Sequence, residues 1–403
     1  MPSSPQLILD KKIAPDVTGL RVFDTWESAS SLREPWNRLV GASRSCTIFL
    51  TWEWLRAWAR THSATTLHLL ACFEGQELVG ALPLYVTTYS RARLQGRLLR
   101  VIGDGSGDSD NLDLLAQPGY EQKVAQTVVR SLEAARDRWD ILQLSRVPAE
   151  SVLLEQLQQA MTAHGWRMET VREPRQVVRL PETWERYYAA LPAGVRERIG
   201  RGGRGLQKRS TISFRRCEHP RELSWFLEEL FRLHTLRWEQ KHDPGAFSDF
   251  RRRDFYYQVA AEMLESRRLE LSLLLADGRA LAAEFGLLYG NTYSMLQSGF
   301  DPGCARHSPG VVLRAWILER LIRQGVRNYD FLCNDAEYMQ RWRAEWLEYC
   351  TIRCARPGSR GAMWLELGPL AVRSKEWMRR HLPHSLFAAL RHAYRAGVMP
   401  RTH

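Results

Sequence analysis

Hydrophobic and polar residues alternate in the second half of the chain in the way that β-hairpins require. Short apolar runs cover residues 270–276, 281–289 and 292–300, and the dipeptides Asp277-Gly278 and Gly290-Asn291 separate them. Such dipeptides between short apolar runs favour tight turns that join neighbouring strands. The pattern therefore predicts a three-stranded antiparallel meander.

The pattern then changes to a helical period. Ser308-Pro309-Gly310 precedes apolar residues that recur every three or four positions, namely Val311, Ala315, Leu318 and Ile322. Serine is favoured as the capping residue of a helix and proline in its first turn. We predict a helix from Ser308 to the glycine at 325, a strand over 328–332, a helix over 337–346 and a strand over 347–353.

The first half of the chain repeats this order. It shows strand-like runs at 67–73, 78–87, 98–102 and 112–116, then a helical run at 118–138 and a strand at 139–144. Residues 152–164 and 166–180 are predicted to finish this copy. The order predicts an α/β (α+β) fold with two tandem halves, each a mixed, mostly antiparallel sheet with flanking helices. Two unrelated α/β domains that share a simple pattern are the alternative.

The two copies divide the chain into residues 1–180, 181–356 and a tail at 357–403. A chain of 403 residues is long enough for about two or three domains. No apolar run reaches the roughly 18 residues that cross a bilayer, and residues 1–20 lack the features of a signal peptide. We therefore expect a cytoplasmic protein.

The 7 cysteines form no CxxC pair, which indicates reduced thiols and no metal site.

The formal net charge of +12 favours an anionic partner, such as a nucleotide cofactor, RNA or an acidic membrane surface. Lys and Arg concentrate in residues 195–216 and 371–403. In the first of these runs Gly200, Gly202, Gly203 and Gly205 disfavour a helix. We expect a solvated surface there, with a mobile basic loop that reaches a nucleotide phosphate, an anionic substrate or tRNA as the alternative. The second run interleaves aromatic and basic residues, which favours a peripheral membrane contact or packing onto the protein itself.

Several short motifs resemble those of a known group. In the first half they are Phe49-Leu50-Thr51-Trp52-Glu53-Trp54-Leu55 and Asp110-Asn111-Leu112-Asp113. In the second half they are Gly299-Phe300-Asp301-Pro302, Ser308-Pro309-Gly310 and Tyr329-Asp330-Phe331-Leu332, with Tyr338 and Trp342. The chain resembles the CelD-like (cellulose-biosynthesis-associated) acetyltransferases of the GNAT superfamily, which are related to FemAB-type transferases.

This resemblance implies two GNAT-like domains and an N-acyltransferase. The expected reaction moves an acyl group, with acetyl as the leading candidate, from acetyl-CoA or another acyl-CoA to the amine of a small molecule or saccharide. No metal is required. The family association points to exopolysaccharide or cell-envelope biosynthesis and allows a place at the inner face of the membrane.

The turn before the predicted helix at 309 is the candidate cofactor site. A helix N-terminus presents free backbone N–H groups and a partial positive charge to an anion. With the resemblance, residues Arg306, His307, Ser308, Gly310 and Val311 are predicted to hold the pyrophosphate of coenzyme A. An ordinary capped helix is the alternative.

Glu284 lies inside an apolar strand, where a carboxylate needs a partner or a polar cleft. The first copy has Ala81 at the matching position. Burial raises the pKa of a carboxylate, so Glu284 is predicted to be the general base for the amine. A glutamate on a solvated strand face is the alternative.

The resemblance casts Tyr338 as the general acid for the leaving thiolate, with a packed aromatic as the alternative. Asp335 and Trp238 are predicted to contact the acceptor, and Asp335 is also a candidate helix cap.

Two other functions stay open. The first is a FemAB-like transferase that takes an aminoacyl group from tRNA, which the basic charge suits. The second is a noncatalytic partner of a polysaccharide synthase. The family usually has the sequence Leu-Arg-Gly-Asp-Glu-x-Tyr-Lys after its last core strand. In this chain Cys333 stands in place of the Arg and Met339 in place of the Lys.

Overall fold

A computed structural model describes residues 17–62, 66–91, 94–106, 108–240, 245–332 and 339–366. The strands are β1 Gly19–Phe23, β2 Thr66–Glu74, β3 Glu77–Arg91, β4 Leu94–Val101, β5 Leu115–Ala116, β6 Ile141–Pro148, β7 Arg167–Arg179, β8 Ile212–Arg216, β9 Leu269–Ala276, β10 Arg279–Tyr289, β11 Thr292–Phe300, β12 Asn328–Asp330 and β13 Glu345–Ala355. The α-helices are α1 Arg33–Ala42, α2 Trp52–Thr61, α3 Glu121–Ala134, α4 Val152–Ala163, α5 Trp184–Ala190, α6 Ala193–Gln207, α7 Pro220–Glu239, α8 Phe250–Glu265 and α9 Pro309–Arg323.

The described strands form one continuous sheet in the order β1-β2-β3-β4-β6-β13-β7-β12-β11-β10-β9-β8, with β5 paired to β3. Among the described pairs only β4–β6 and β11–β12 are parallel. The meander β9–β10–β11 has the predicted turns, and α9 follows it as the helical period indicated. The predicted fold class, a mixed and mostly antiparallel sheet with flanking helices, is confirmed.

The two halves exchange their last strands. β7 was predicted to finish the first copy, but it pairs with β12 and β13 of the second half. In return β13 pairs with β6 of the first half. The sheet therefore does not break at residue 180, because β7 and β13 each cross into the other half. The domain limits 1–180, 181–356 and 357–403 stay predictions.

Helices cover both faces of this sheet. Ala283 and Phe285 of β10 pack into the larger core cluster, which includes α1–α4, α7 and α8. Ala282 of the same strand packs into a second cluster with α5, α6 and α9. Alternate residues of a strand point to opposite faces, so the two clusters lie on the two sides of the sheet.

The basic run at 195–216 is not a loop over its first part, because residues 193–207 form α6. Its glycines permit close packing. A β-carbon at Gly202 would lie 2.4 Å from the carbonyl oxygen of His307, and one at Gly205 would lie 2.6 Å from the His307 ring. The glycines that disfavour a helix thus allow this helix to lie directly against the segment before α9.

Two local predictions in the second half were also wrong. Ser308 precedes α9 but makes no side-chain cap, because it adopts a left-handed conformation with φ of 48°. The predicted helix at 337–346 does not extend to its end, because β13 already begins at Glu345.

The described part of the tail packs on the first half. Residues 360–366 are helical, and Ala362 and Leu365 are buried beside Tyr89 and Ile141. Residues 367–403, which carry the predicted membrane-contacting segment, lie outside the described residues. In the described part of the chain no helix is long and apolar enough to cross a membrane.

Candidate active site

Two parallel strands separate at the centre of the second half. β11 and β12 pair only over Thr292–Ser294 and Asn328–Asp330. β11 then continues to Phe300, still paired with β10 on its other side. Within the described residues, 295–300 of β11 therefore have no partner strand on the β12 side. A register shift opposite Phe285 and Gly286 adds a bulge to β11 in this stretch. Bulges bend a strand and redirect its backbone groups.

A cavity of about 470 Å³ opens at this separation. The unpaired part of β11 forms one wall, and the first turn of α9 forms another. Helix α7 contributes His234, Arg237 and Trp238. Strand β10 contributes Glu284, and α9 also contributes Arg314. The volume is in the range of about 300–1,000 Å³ typical of small-molecule sites. We call this cavity the strand cleft.

The N-terminus of α9 faces the strand cleft through Ser308, Pro309, Gly310 and Val311. The first turn of α9 holds no acidic residue, and no side chain caps it. A β-carbon at Gly310 would meet no atom closer than 3.9 Å. The helix therefore presents its positive end to open space, which suits an anionic group.

The corresponding helix of the first half is closed to anions. Glu121 occupies the first turn of α3, and its carboxylate accepts a hydrogen bond of 2.7 Å from the N–H of Gly119. A negative charge at that position repels a phosphate.

The first half also has a cavity of about 470 Å³ where β4 leaves β6, and its lining includes Asp104, Gln143 and Arg353. The connection from β4 to β5, described over residues 102–106 and 108–114, buries the side chains of Asp104, Asp108 and Asp110. Arg252 and Arg146 hold Asp108 and Asp110 in ion pairs of 2.6 Å.

Glu284 lies at the base of the strand cleft and is only 1% exposed. Arg314 of α9 donates to one carboxylate oxygen from Nε at 2.9 Å and from a terminal nitrogen at 2.7 Å. The hydroxyls of Tyr293 and Tyr329 donate to the other oxygen at 3.0 and 2.6 Å. Both oxygens therefore have partners, and the alternative of a solvated glutamate is wrong.

Burial raises the pKa of Tyr293 and Tyr329 well above the ordinary value, and the neighbouring Glu284 charge adds to this effect. Both phenols are therefore protonated at neutral pH and act as donors. Arg314 is equally buried, with 4% of its side chain exposed. A buried carboxylate of this kind requires such compensation, because an unpaired buried charge is strongly unfavourable.

The structure brings together five of the predicted site residues at the strand cleft: Glu284, Trp238, Ser308, Gly310 and Val311. Arg306 and His307 lie just outside the cleft lining, on the side that packs against α6, and Nε of Arg306 donates to Nε2 of His307 at 3.0 Å. Tyr338 and Asp335 lie outside the described residues, so their roles stay predictions.

Arg314 was missed from the sequence, although a signal was present. It falls three residues after Val311 and four before Leu318, which places a charge within the apolar stripe of α9. A charged residue on an apolar helix face predicts a buried partner of opposite charge. Glu284, a charge within an apolar strand, carries the matching signal.

A second cavity, of about 260 Å³, lies between the two halves. Ser294 and Asp330, the last paired residues of β11 and β12, line it together with Asp113 of the first half. Asp113 accepts hydrogen bonds from the hydroxyls of Ser151 at 2.5 Å and Ser45 at 3.1 Å. Burial raises its pKa to about 6. We call this space the inter-half cavity.

The inter-half cavity adjoins the strand cleft at β11. Ser294 lines the inter-half cavity and the next residue, Met295, lines the strand cleft. Neighbouring residues of a strand point to opposite faces, so the two cavities approach β11 from different sides. Within the described residues no group of three or more His, Cys, Asp or Glu is arranged to hold a metal ion.

Comparison with known proteins agrees with this geometry. Residues 193–340 match the family model described as Acetyltransferase (GNAT) domain. Comparison with curated proteins gives no significant match. The crystal structure of FemX has a TM-score of 0.58 at 10% identity, covering 79% of this chain and 95% of that one. This likeness shows a shared fold over most of the chain.

Two further solved structures are similar to smaller extents. A tandem GNAT protein from the clavulanic acid biosynthesis pathway has a TM-score of 0.46 at 14% identity, covering 85% of this chain and 99% of that one. The C-terminal domain of a putative lysylphosphatidylglycerol synthetase from Agrobacterium fabrum has a TM-score of 0.48 at 12% identity, covering 84% and 95% of the two chains.

The family match covers α6, the meander, α9 and β12, which are the elements that build the strand cleft. The CelD-like assignment stays a prediction. Residues 193–340 are thus similar to a GNAT-type acetyltransferase domain, and the predicted class of enzyme, an acyltransferase, is confirmed.

Proposed function

We propose that the strand cleft binds acetyl-CoA, or another acyl-CoA, and that its acyl group is transferred to an amine. The observation that carries this proposal is the separation of β11 from β12 beside the open, carboxylate-free N-terminus of α9, inside the GNAT match. The blocked α3 N-terminus supports the second half as the cofactor-binding half.

The residues present fit coenzyme A. The positive end of α9 attracts the pyrophosphate, and Gly310 offers its backbone N–H there, whereas the N–H groups of Val311 and Val312 donate to the Ser308 carbonyl oxygen. The unpaired edge of β11 offers backbone groups to an extended ligand, as a sheet edge does to a peptide. Bound acyl-CoA supplies an activated thioester, and the protein orients it against the amine.

The inter-half cavity is the proposed acceptor side. It reaches the last paired residues of β11 and β12 from the face opposite to Met295. Its volume of about 260 Å³ suits a monosaccharide-sized or amino acid-sized amine. The buried carboxyl of Asp113 favours a polar acceptor, whereas Asp330 is already paired with Arg175, which also lines the cavity.

Glu284 remains the proposed general base and Tyr338 the proposed general acid. An amine loses a proton before attack, and the departing thiolate gains one. Trp238 lines the strand cleft, so its proposed contact is with the part of the acceptor that reaches the thioester there, and Asp335 is the other proposed acceptor contact. A role in exopolysaccharide or cell-envelope biosynthesis is proposed from the CelD-like resemblance alone.

Calorimetric titration of the full chain with acetyl-CoA tests the cofactor site. Gly310→Asp places a carboxylate at the second position of α9 without a steric clash. We expect affinity to fall about tenfold or more, because repulsion of a nearby phosphate by about 1.4 kcal/mol changes binding tenfold.

Gly194→Asp is the matched control. Gly194 occupies the second position of α6, and a β-carbon there meets nothing within 4 Å. It should leave acetyl-CoA affinity nearly unchanged. Equal affinities for wild type and Gly310→Asp would contradict the site. Binding of charged tRNA in place of acetyl-CoA would favour the FemAB-like transferase, and binding of neither would favour the noncatalytic partner.

A further inference from the structure

The first half contains a cavity that the proposed acyl transfer does not use. It has a volume of about 470 Å³ and lies where β4 leaves the parallel strand β6, as the strand cleft lies where β11 leaves β12. Its floor is formed by β6, β13 and β7, through side chains such as those of Gln143, Thr351 and Glu173. We call this cavity the first-half cleft.

The first-half cleft is unsuited to a phosphate. None of the described residues that line it belongs to a helix N-terminus, and the start of α3, with Glu121 in its first turn, lines the inter-half cavity instead. The charged residues of the described lining are two acids, Asp104 and Glu173, and two bases, Arg146 and Arg353, so their formal charges cancel. Both arginines are also paired with carboxylates. The cleft therefore favours a ligand without charge.

The lining of the first-half cleft is also almost entirely polar. Val171 is the one apolar side chain among the described residues that line it. Small-molecule sites are usually lined mainly by hydrophobic and aromatic side chains, which contact the apolar parts of a ligand. An acyl chain or a nucleobase would find such a surface here only at Val171. A ligand with polar groups around its whole perimeter suits this lining better.

Three buried side chains in the lining, each between 3% and 7% exposed, keep unused hydrogen-bonding capacity. Asp104 accepts at Oδ2 from Arg100 at 2.7 Å and from Gln143 at 2.9 Å, whereas its Oδ1 accepts no hydrogen bond from the described residues. The hydroxyl of Ser145 accepts from Gln143 at 3.0 Å, and that of Ser109 accepts from a buried indole at 2.9 Å. Neither hydroxyl donates to a described residue. Buried polar groups normally have partners, so these three indicate a polar ligand.

The first-half cleft lies beside the inter-half cavity. Glu173 of β7 lines the former, and Arg175 of the same strand lines the latter. Residues two positions apart in a strand point to the same face of the sheet and lie about 7 Å apart. Ser109 and Asn111 are divided between the two cavities in the same way. One extended ligand can therefore reach both.

We propose that the first-half cleft binds an uncharged saccharide unit of the acceptor. A sugar hydroxyl both donates and accepts, so neighbouring hydroxyls can donate to Oδ1 of Asp104 and accept from Ser145 and Ser109. The cancelled charges of the lining favour a neutral sugar over a uronic acid or a sugar phosphate. The amine of the same acceptor then lies in the inter-half cavity. This assignment to the acceptor rests on the proposed acyl transfer, whereas saccharide binding itself does not.

Saturation-transfer NMR titrations of the full chain test the site with glucose, galactose, N-acetylglucosamine, cellobiose, maltose and lactose. None of these sugars carries a charge or a free amine, so binding is measured apart from acyl transfer. We expect at least one of them to bind the wild type. Ser145→Ala removes one donor and should weaken that binding about two- to tenfold. Val171→Trp, at a position that is 41% exposed, should fill the cleft and abolish binding.

Val22→Trp and Ser213→Ala are the matched controls. Val22 is 43% exposed on β1, and Ser213 lies on β8; these are the two outermost strands of the described sheet. Both variants should bind the sugar as the wild type does. Thermal unfolding of the four variants shows which of them are folded. If Val171→Trp does not fold, the comparison of Ser145→Ala with Ser213→Ala decides.

Binding of none of the six sugars to the wild type overturns the inference, with water as the only occupant of the cleft. Unchanged sugar binding in the folded cleft variants overturns the location.

Calorimetry with acetyl-CoA separates this inference from the proposed function. Val171→Trp should leave acetyl-CoA affinity unchanged. If the wild type does not bind acetyl-CoA, the acyl-transfer proposal fails, and a sugar that binds the wild type but not Val171→Trp still supports the saccharide site. Loss of acetyl-CoA affinity in Val171→Trp but not in Gly310→Asp would make the first-half cleft the cofactor site and overturn both proposals.

Discussion

The buried pair of Glu284 and Arg314 makes the strongest prediction about this protein. Glu284→Gln removes the negative charge and leaves the Arg314 guanidinium, 4% exposed, without its carboxylate. Removing one member of a buried ion pair destabilises a protein by about 3–5 kcal/mol. We expect a loss of that size for Glu284→Gln, and a similar loss for Arg314→Met.

The double variant Glu284→Gln/Arg314→Met should be far more stable than the sum of the single losses predicts. It removes both charges and keeps the side-chain volumes close to those of the wild type. Replacing a whole buried pair is often neutral or stabilising. We expect the double variant within about 2 kcal/mol of the wild type, and thus a coupling of several kcal/mol.

Urea unfolding of the four proteins measures this coupling. Tyr293→Phe is the control, because it removes one hydrogen bond of 3.0 Å to the same carboxylate but leaves the ion pair, and it should cost only about 1.5–3 kcal/mol. If Glu284→Gln costs less than about 1 kcal/mol, or if the two single losses simply add, the pair does not hold this wall of the strand cleft.

The double variant also separates catalysis from stability. Loss of activity in Glu284→Gln alone is ambiguous, because a destabilised protein is also inactive. A general base contributes about 10²–10⁴-fold, so the folded double variant should lose that much kcat and retain its affinity for coenzyme A. Wild-type turnover in the double variant would show that Glu284 is not the base.

Two further predictions concern packing and pH. Gly202→Ala should destabilise the protein by about 1–3 kcal/mol, because the new β-carbon would lie 2.4 Å from the His307 carbonyl oxygen. Gly203→Ala, with nothing within 4 Å, should stabilise it by up to about 1 kcal/mol; equal midpoints of thermal unfolding would contradict the packing of α6. The pKa of Asp113 is about 6 in the folded protein, whereas its value in the unfolded chain is about 3.9. Between these two values the folded state binds more protons than the unfolded state. The free energy of unfolding should therefore fall as the pH rises from about 4 to 6, by about 3 kcal/mol in all. Asp113→Asn should remove that part of the pH dependence, and urea midpoints that change with pH as in the wild type would show that the carboxyl is not responsible.

The local pattern of apolar and polar residues was sufficient to predict the strands and the helix that form the candidate site. The turns Asp277-Gly278 and Gly290-Asn291 and the alternation between them predicted β9, β10 and β11, because hairpins join residues that are close in sequence. The helical period after Ser308 predicted α9 for the same reason. These elements, with the motif resemblance, indicated the GNAT-type fold and the turn at Gly310.

Contacts between distant parts of the chain were decided only by the tertiary structure. The exchange of β7 and β13 joins residues 167–179 with 345–355, and no local period records such a pairing. The glycines of α6 disfavour a helix by their propensity, yet two of them, Gly202 and Gly205, are needed for contact with His307, about a hundred positions later. Helix propensity differs by at most about 1 kcal/mol per glycine, so tertiary packing overrides it.

The sequence by itself therefore determined the meander β9–β11 with α9 after it, the acyltransferase class through the motif resemblance, and the presence of Glu284 in an apolar strand. The tertiary structure decided what that carboxylate contacts, where β11 leaves β12 and which helix N-terminus is open. These features depend on residues from separate elements, such as Arg314 of α9 and Tyr329 of β12 around Glu284 of β10. A charged residue within an apolar run indicates from the sequence that a partner of opposite charge is required. Only the folded chain shows which residue lies within hydrogen-bonding distance of it.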